Sequence, residues 1–452
     1  MTWRSAARTR ACAWLLLLGA HLPLASSARA AGVPPPADTA QAAESRVPSA
    51  TEIAYYYDYL HHMMVRPVTR QLDLARWVRR AGGNPREAVN VDAADQVRLP
   101  STWWTPRLGF RPVTVEQMLH GPGPGAGPAA GRLTVTRVKT QGVTPGFFVK
   151  DAEGASFLLK FDPPGLLEMA TGADAVSTYL YWAAGYNVPE NTIVTFTAGD
   201  LDVSGDASIV DEFGRKRPMH RDDLVRILER LPRTTDGRYR GLASRLLAGR
   251  PLGPFRYTGR RRDDPEDLVP HQHRRELRGL YALAAWTNHA DVRAPNSLDM
   301  WVTEGGRSFV RHYLIDFGSC LGSGAIAKRA YTTGTEHFFD YGVMGRQVAT
   351  LGLRPFTWEG AVDPGMPSIG YIESANFDPK RWRPYYPNPA FDERTERDLR
   401  WGARIVGAFT DEHIRAAVAQ GRYSDPRAAE YLARVLIERR DRLVAQWPST
   451  AP

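Results

Sequence analysis

Apolar and polar residues alternate over "LTVTRVK" (Leu133–Lys139), the spacing of a half-buried strand. "GFFVKD" and "SFLLKFD" predict two more strands, with "AEG" as a hairpin turn between them. The period then lengthens. "EMATGADAVSTYLYWAAGYNVPE" predicts a helix that stops at Gly185 and Pro189, and "NTIVTF" returns to a strand. Upstream, Ile53–Gly83 has helical spacing, "STWWTPRLGFRPVTVEQMLH" mixes turns with one short helix, and "GPGPGAGPAAG" (Gly121–Gly131) is a loop.

The middle, about Gly199–Val269, is less regular. "HRDDLVRILERL" predicts an amphipathic helix and "GLASRLLAGRPLGPF" a strand, while "GRRRDDPEDL" reads as a solvated charged loop. "HRRELRGLYALAAWTNH" then predicts an apolar-striped helix. "SLDMWV" and "FVRHYLIDFG" predict strands joined by the turn "TEGGR". Beyond Cys320, "ERTERDLRWGARIVGAF", "TDEHIRAAVAQG" and "DPRAAEYLARVLIERRDRLVAQW" are helical in period. A β-rich part followed by an α-rich part, joined near Arg217–Gly253, describes a bilobal α+β protein.

A chain of 452 residues with 43% apolar and 24% charged residues can build a large core. Its start is read as a signal peptide over 1–30. Arg4, Arg8 and Arg10 precede the apolar "ACAWLLLLGAHLPLA", and Ala28-Arg29-Ala30 supplies the cleavage site. Residues 31–52 read as a Pro- and Ala-rich linker. The expectation is an exported protein, periplasmic or secreted, with no stable membrane span after cleavage. Cys12 falls in the signal, so Cys320 is left without an internal disulfide partner and is expected to be buried. Subtracting the four arginines of 1–30 from the formal charge of +9 leaves +5. That mild excess suits an anionic ligand such as a nucleotide, and no basic tail or aromatic–basic repeat points to nucleic acid.

The candidate chemistry lies in "HADVRAPN" and the hairpin after it. The loop carries Asp291 and Asn296, and the hairpin returns Asp316 to them. Phosphoryl transfer needs this set. One carboxylate orients or deprotonates the attacking hydroxyl, and a carboxylate with a carboxamide holds Mg²⁺ through hard oxygens. Arg293 is placed to neutralise charge on the transferring group. His289 is read as support for the loop. His271 and His273 lack a third metal ligand at suitable spacing, and Trp103 and Trp104 read as packing residues.

The order H-x-D-x(4)-N, hairpin, D-F-G resembles the catalytic and metal-binding loops of protein kinases. By that resemblance "FLLKFD" supplies the strand lysine, Lys160, which contacts the α/β-phosphates. The following helix supplies its acid, Asp174 in preference to Glu168. "KTQGVTPGFFV" has Gly142 and Gly146 but no G-x-G-x-x-G, and is similar to the short phosphate loops of HipA-like and lipid-kinase-like atypical kinases. "NVDAADQV", "STWW", "KFDPP" and "LIDFGSCLGSG" together resemble a branch of exported bacterial proteins. The resemblance implies a kinase-like N-lobe with an insert over 132–250 and a kinase-like C-lobe over 251–452, preceded by an extension over 53–131. It implies an ATP- and Mg²⁺-dependent phosphotransferase acting on a protein hydroxyl or a small molecule. The alternatives are a catalytically silent kinase-like binding module and an AMP transferase.

Overall fold

The computed structural model describes residues 47–125, 127–139, 145–210, 214–324, 327–361 and 363–448. The predicted signal, most of the predicted linker and Gly142 lie outside the described residues. Helices α1 (Tyr55–Leu60) and α2 (Arg66–Gln71) are joined by a π-helical turn, and α3 (Leu74–Ala81) and α4 (Val115–His120) follow. Next come β1 (Leu133–Val138), β2 (Gly146–Lys150), β3 (Ser156–Lys160), α5 (Met169–Ala183) and β4 (Asn191–Phe196). The alternating and helical periods of the sequence place all five.

The middle region differs from its reading. Besides α6 (Arg221–Leu228), it holds β5 (Leu201–Val210), β6 (Lys216–Pro218), β7 (Tyr239–Arg245) and β8 (Arg250–Gly253). A seven-stranded sheet runs in the order β4-β7-β3-β2-β1-β5-β6. β5 was not expected, although "LDVSGDASIV" alternates in sequence, with Asp202, Ser204, Asp206 and Ser208 at every second position; it pairs in parallel with β1. The single strand expected in "GLASRLLAGRPLGPF" is two strands in different sheets. β7 enters the first sheet between β3 and β4, and β8 pairs with β9 (Ser297–Glu304) in a three-stranded sheet with β10 (Arg307–Leu314).

The second half is mainly helical: α7 (Arg275–Trp286), α8 (Tyr341–Ala349), α9 (Pro389–Asp392), α10 (Glu396–Gly407), α11 (Asp411–Ala419) and α12 (Pro426–Gln446). Two cores result, so the α+β, two-part architecture is as the pattern predicts. Val135, Phe147, Phe157, Leu159 and Leu224 pack on the larger sheet. Leu180, Tyr181, Leu280, Trp286, Phe317 and Leu432 belong to the helical core.

α7 is not striped. Its every face is buried, including Arg275, Glu276 and Arg278. The charged loop before it is not wholly solvated either. Asp267 is buried, and its carboxylate meets His271 Nε2 at 2.7 Å and Arg274 Nη2 at 2.8 Å. Buried charge persists there because each group has its partner.

Segments before the sheet are tied into the molecule. Thr51 N donates to Leu252 O at 2.8 Å, so the end of the predicted linker runs along β8. Trp103 stacks on His312 with ring centroids 3.5 Å apart, and Trp104 Nε1 donates to Ala184 O at 2.8 Å. Gly185 ends α5 at φ 105°, and a Cβ there would lie 2.1 Å from Trp104 Nε1, so only glycine closes this corner. Among the described residues no helix is long and apolar enough to cross a membrane.

Candidate active site

β3 alternates: Phe157 and Leu159 point into the sheet's core, and Lys160 falls on the other face at the strand's end. Its stem is largely covered, with 18% of the side chain exposed. Its ammonium lies 2.9 Å from Asp174 Oδ2 and 3.0 Å from Asp316 Oδ1.

Asp174 is held in place from α5. Asn191 Nδ2 donates to its Oδ1 at 2.8 Å and also reaches Thr178 Oγ1 at 2.8 Å, which fixes the carboxylate's orientation. Glu168 goes elsewhere. It precedes α5 in a left-handed conformation, and its Oε2 accepts from Ser424 N at 2.9 Å. Of the two candidate acids, Asp174 meets Lys160 and Glu168 does not.

The hairpin brings Asn296 and Asp316 together. Gly305 and Gly306 adopt φ of 57° and 79°, the positive pair that a two-residue turn needs to match strand twist. That turn sets a register in which Ser297 faces Leu314. One step further on, Ile315 N donates to Asn296 O at 3.1 Å, so Asp316 emerges beside Asn296. Asp316 itself has φ 64° and ψ 60°. Such left-handed backbone in a non-glycine residue turns its carboxylate out of the strand direction toward Lys160. Phe317 is fully buried against Tyr181, with centroids 4.6 Å apart, and anchors the turn.

Asp291 sits on the other side of Asn296. Asn296 Nδ2 donates to Asp291 O at 2.8 Å and to Asp291 Oδ2 at 3.0 Å. Arg293, expected to face a phosphoryl group, places its Nε 2.7 Å from Asp291 Oδ1 instead. The short loop commits the guanidinium to a carboxylate two residues away. His289 is buried behind the loop, its Nδ1 2.9 Å from the Tyr181 hydroxyl.

Gly146 is a strand residue opposite Lys160 in the β2–β3 ladder. A Cβ on it would lie 2.6 Å from Leu159 O and 3.2 Å from Lys139 Cδ. Glycine is therefore required for strand approach, and it leaves room for the Lys139 stem. Lys139 was missed in the sequence. The signal was register: Val138 faces Phe147, and Lys139 N donates to Gly146 O at 2.8 Å, so Lys139, Gly146 and Lys160 share one row. Asn191, Arg329 and Ser319 were also missed. Arg329 Nη2 lies 3.9 Å, and Ser319 Oγ 3.4 Å, from Asp291 Oδ2. None of the three carries a local pattern.

The electrostatics follow from this packing. Burial opposes the charge on Lys160, but Asp174 and Asp316 outweigh it and hold the ammonium above its usual range. The Lys160 charge holds Asp316 below the usual carboxylate range. Burial pushes Asp174 and Asp291 up, against the pull of Lys160 on the first and Arg293 on the second. Burial lowers Lys139, with Asp316 pulling the other way. His289 is pushed down to about 3 by burial, so it is neutral at ordinary pH.

The donor chemistry fits a hard divalent cation. Asp316 offers a carboxylate whose side chain is 54% exposed, and Asn296, with its Nδ2 turned to Asp291, has its carboxamide oxygen as the possible ligand. Among the described residues no three His, Cys, Asp or Glu side chains gather as a metal cluster. A cation here would thus take two protein ligands and complete its shell with water and phosphate oxygens, as Mg²⁺ does.

No family model matches the chain, and no curated protein matches it. Among solved structures, it is similar to the Golgi casein kinase with manganese and ADP bound, at 8% identity and a TM-score of 0.31, covering 74% of this chain and 77% of that one. A second crystal structure of the Golgi casein kinase matches at 10% identity and a TM-score of 0.25, covering 74% and 78%. Overlap this slight bears no weight, and the functional reading rests on the site's own geometry.

Proposed function

We propose that the protein is an ATP- and Mg²⁺-dependent phosphotransferase of the atypical-kinase kind, acting after export on a protein hydroxyl or a small molecule. One observation carries this reading: the Lys160 ammonium bridges Asp174 and Asp316 at 2.9 and 3.0 Å, with Asn296 and Asp291 on the adjoining loop. Lys160, positioned by Asp174, binds the α/β-phosphates. Lys139 adds a second cation in the same row. Asn296 and Asp316 hold Mg²⁺, which when bound neutralises charge on the phosphates. Asp291 orients the acceptor hydroxyl and takes its proton. Burial raises its carboxyl toward the range where a base works near neutral pH. Arg293 fixes Asp291. The short loop ending at Gly146 favours the HipA-like or lipid-kinase-like kind over the G-x-G-x-x-G kind.

A second reading, a silent kinase-like binding module, has its own support. Both oxygens of Asp291 are engaged, by Arg293 at 2.7 Å and Asn296 at 3.0 Å. Melting curves of the purified protein with ATP separate these readings from none at all. A rise that requires Mg²⁺ and vanishes in Asp316→Asn is expected. Its absence in the parent protein sinks nucleotide binding. Label carried into product from the γ-phosphate marks a kinase, label from the α-phosphate marks AMP transfer, and binding without either leaves the silent module.

A further inference from the structure

A cavity of about 140 Å³ opens directly behind Arg293, between the Asp291 loop and α1. Tyr57, Asp58 and His61 line it from the helical side, Arg256 from the strand connection, and Arg293 and Tyr386 from the helical half. Its one carboxylate is already satisfied. Asp58 Oδ2 accepts from the Tyr386 hydroxyl at 3.0 Å, and Asp58 Oδ1 lies 3.4 Å from His62 Nε2. Arg256 is exposed at the cavity, and among the described residues no acidic side chain pairs with its guanidinium. Burial lowers the His61 imidazole, with Arg66 and Arg256 adding to it and Asp58 opposing. The cavity thus has aromatic walls, an unmatched cation, and Arg293 as the wall shared with Asp291.

We infer that this cavity is the acceptor subsite, and that the acceptor is a small hydroxylated compound bearing a carboxylate or phosphate. Its anionic group pairs with Arg256 through the planar fork that guanidinium offers an oxyanion. Its hydroxyl points past Arg293 to Asp291. In the transfer step the hydroxyl oxygen forms the new bond to the γ-phosphorus, the bond from that phosphorus to the ADP oxygen breaks, and the proton goes to Asp291. The inference rests on the phosphotransferase reading for its direction, but its anion site is testable separately.

Titration calorimetry of the purified protein with inorganic phosphate, and separately with acetate, tests it, each with and without saturating ADP and Mg²⁺. Saturation with ADP covers the Lys160 side, so the remaining binding reports the cavity. The expected result is that Arg256→Met weakens one of these anions at least tenfold, Arg256→Lys only partly, and Lys160→Met not at all. Phosphate tighter than acetate assigns a phosphorylated acceptor, and the reverse a carboxylate. Equal affinity in the parent protein and Arg256→Met, anion binding lost only with Lys160→Met, or no anion binding to the parent overturns the inference. ADP failing to bind while the Arg256-dependent anion site persists sinks the nucleotide reading alone. Arg256 is exposed, and matching melting temperatures of variant and parent establish that the fold is intact.

Discussion

Two places in this molecule are dense with charge, and they are built differently. Around Lys160, one ammonium is shared by Asp174 and Asp316, and Asp316 keeps 54% of its side chain exposed on left-handed backbone. Between α7 and α10, Arg275 Nε lies 3.2 Å, and Arg278 Nη1 3.4 Å, from the Asp398 carboxylate, all three side chains fully covered. Asp398 also closes a capping box, accepting from Thr395 N at 2.7 Å. The second cluster is finished: its three side chains are covered, and Asp95 supplies Arg275 with a second carboxylate. The first is open on one side. Charge density alone therefore does not mark a site. Accessible charge on unusual backbone, supported by a buried partner, is what a ligand can use.

The comparison breaks most easily at its buried end. Arg275→Met leaves Asp398 under-compensated in the interior and is expected to cost about 3–5 kcal/mol in denaturant unfolding. Asp316→Asn, at the open cluster, is expected to change the same quantity by under about 1 kcal/mol. Similar losses from both would show that the Lys160 cluster is structural too.

Asp291→Asn sharpens the catalytic side. It keeps the shape of the loop and removes the base, so single-turnover transfer of γ-phosphate is expected to fall about 10²-fold or more. Undiminished transfer would remove Asp291 from the mechanism while leaving Lys160 and Asp316 in place.

A pH-dependent effect marks the boundary between the two kinds of region. His289 lies behind the open site yet is buried, with its folded pKa pushed down to about 3 from the ordinary 6.5. The unfolded chain gains a proton near 6.5 and the folded protein does not. Stability is thus full above that pH and declines as pH falls toward 3, by about 2 kcal/mol at pH 5 from this one group. His289→Gln is expected to make the unfolding free energy less steep in pH by one proton over that window. An unchanged slope would mean the ring is charged in the fold.

The legible part of the candidate site is local. Lys160 ends an alternating strand, Asp174 lies in the helix that follows, and "TEGGR" fixes a hairpin whose register delivers Asp316 to Asn296. Strand period, helix period and a glycine turn need no distant contact to be recognised. What was misread depends on distant contacts. β7 and β8, read as one strand, part into different sheets because each finds a different distant partner. The solvated reading of "GRRRDDPEDL" fails at Asp267, which needs His271 and Arg274 folded back over it. Arg293 carries the right charge in the right loop, but only the closed loop turns it onto Asp291.

By itself, the order of residues determined the α+β plan and which groups could do phosphoryl chemistry, because periodicity and turn residues act over a few neighbours. The tertiary structure decided which acid meets Lys160, that Lys139 joins the same row, and that among the described residues no carboxylate pairs with Arg256 while Arg275 has one. Those outcomes depend on burial and pairing between residues far apart in the chain, and neither desolvation nor a counter-charge is written in any short stretch of sequence.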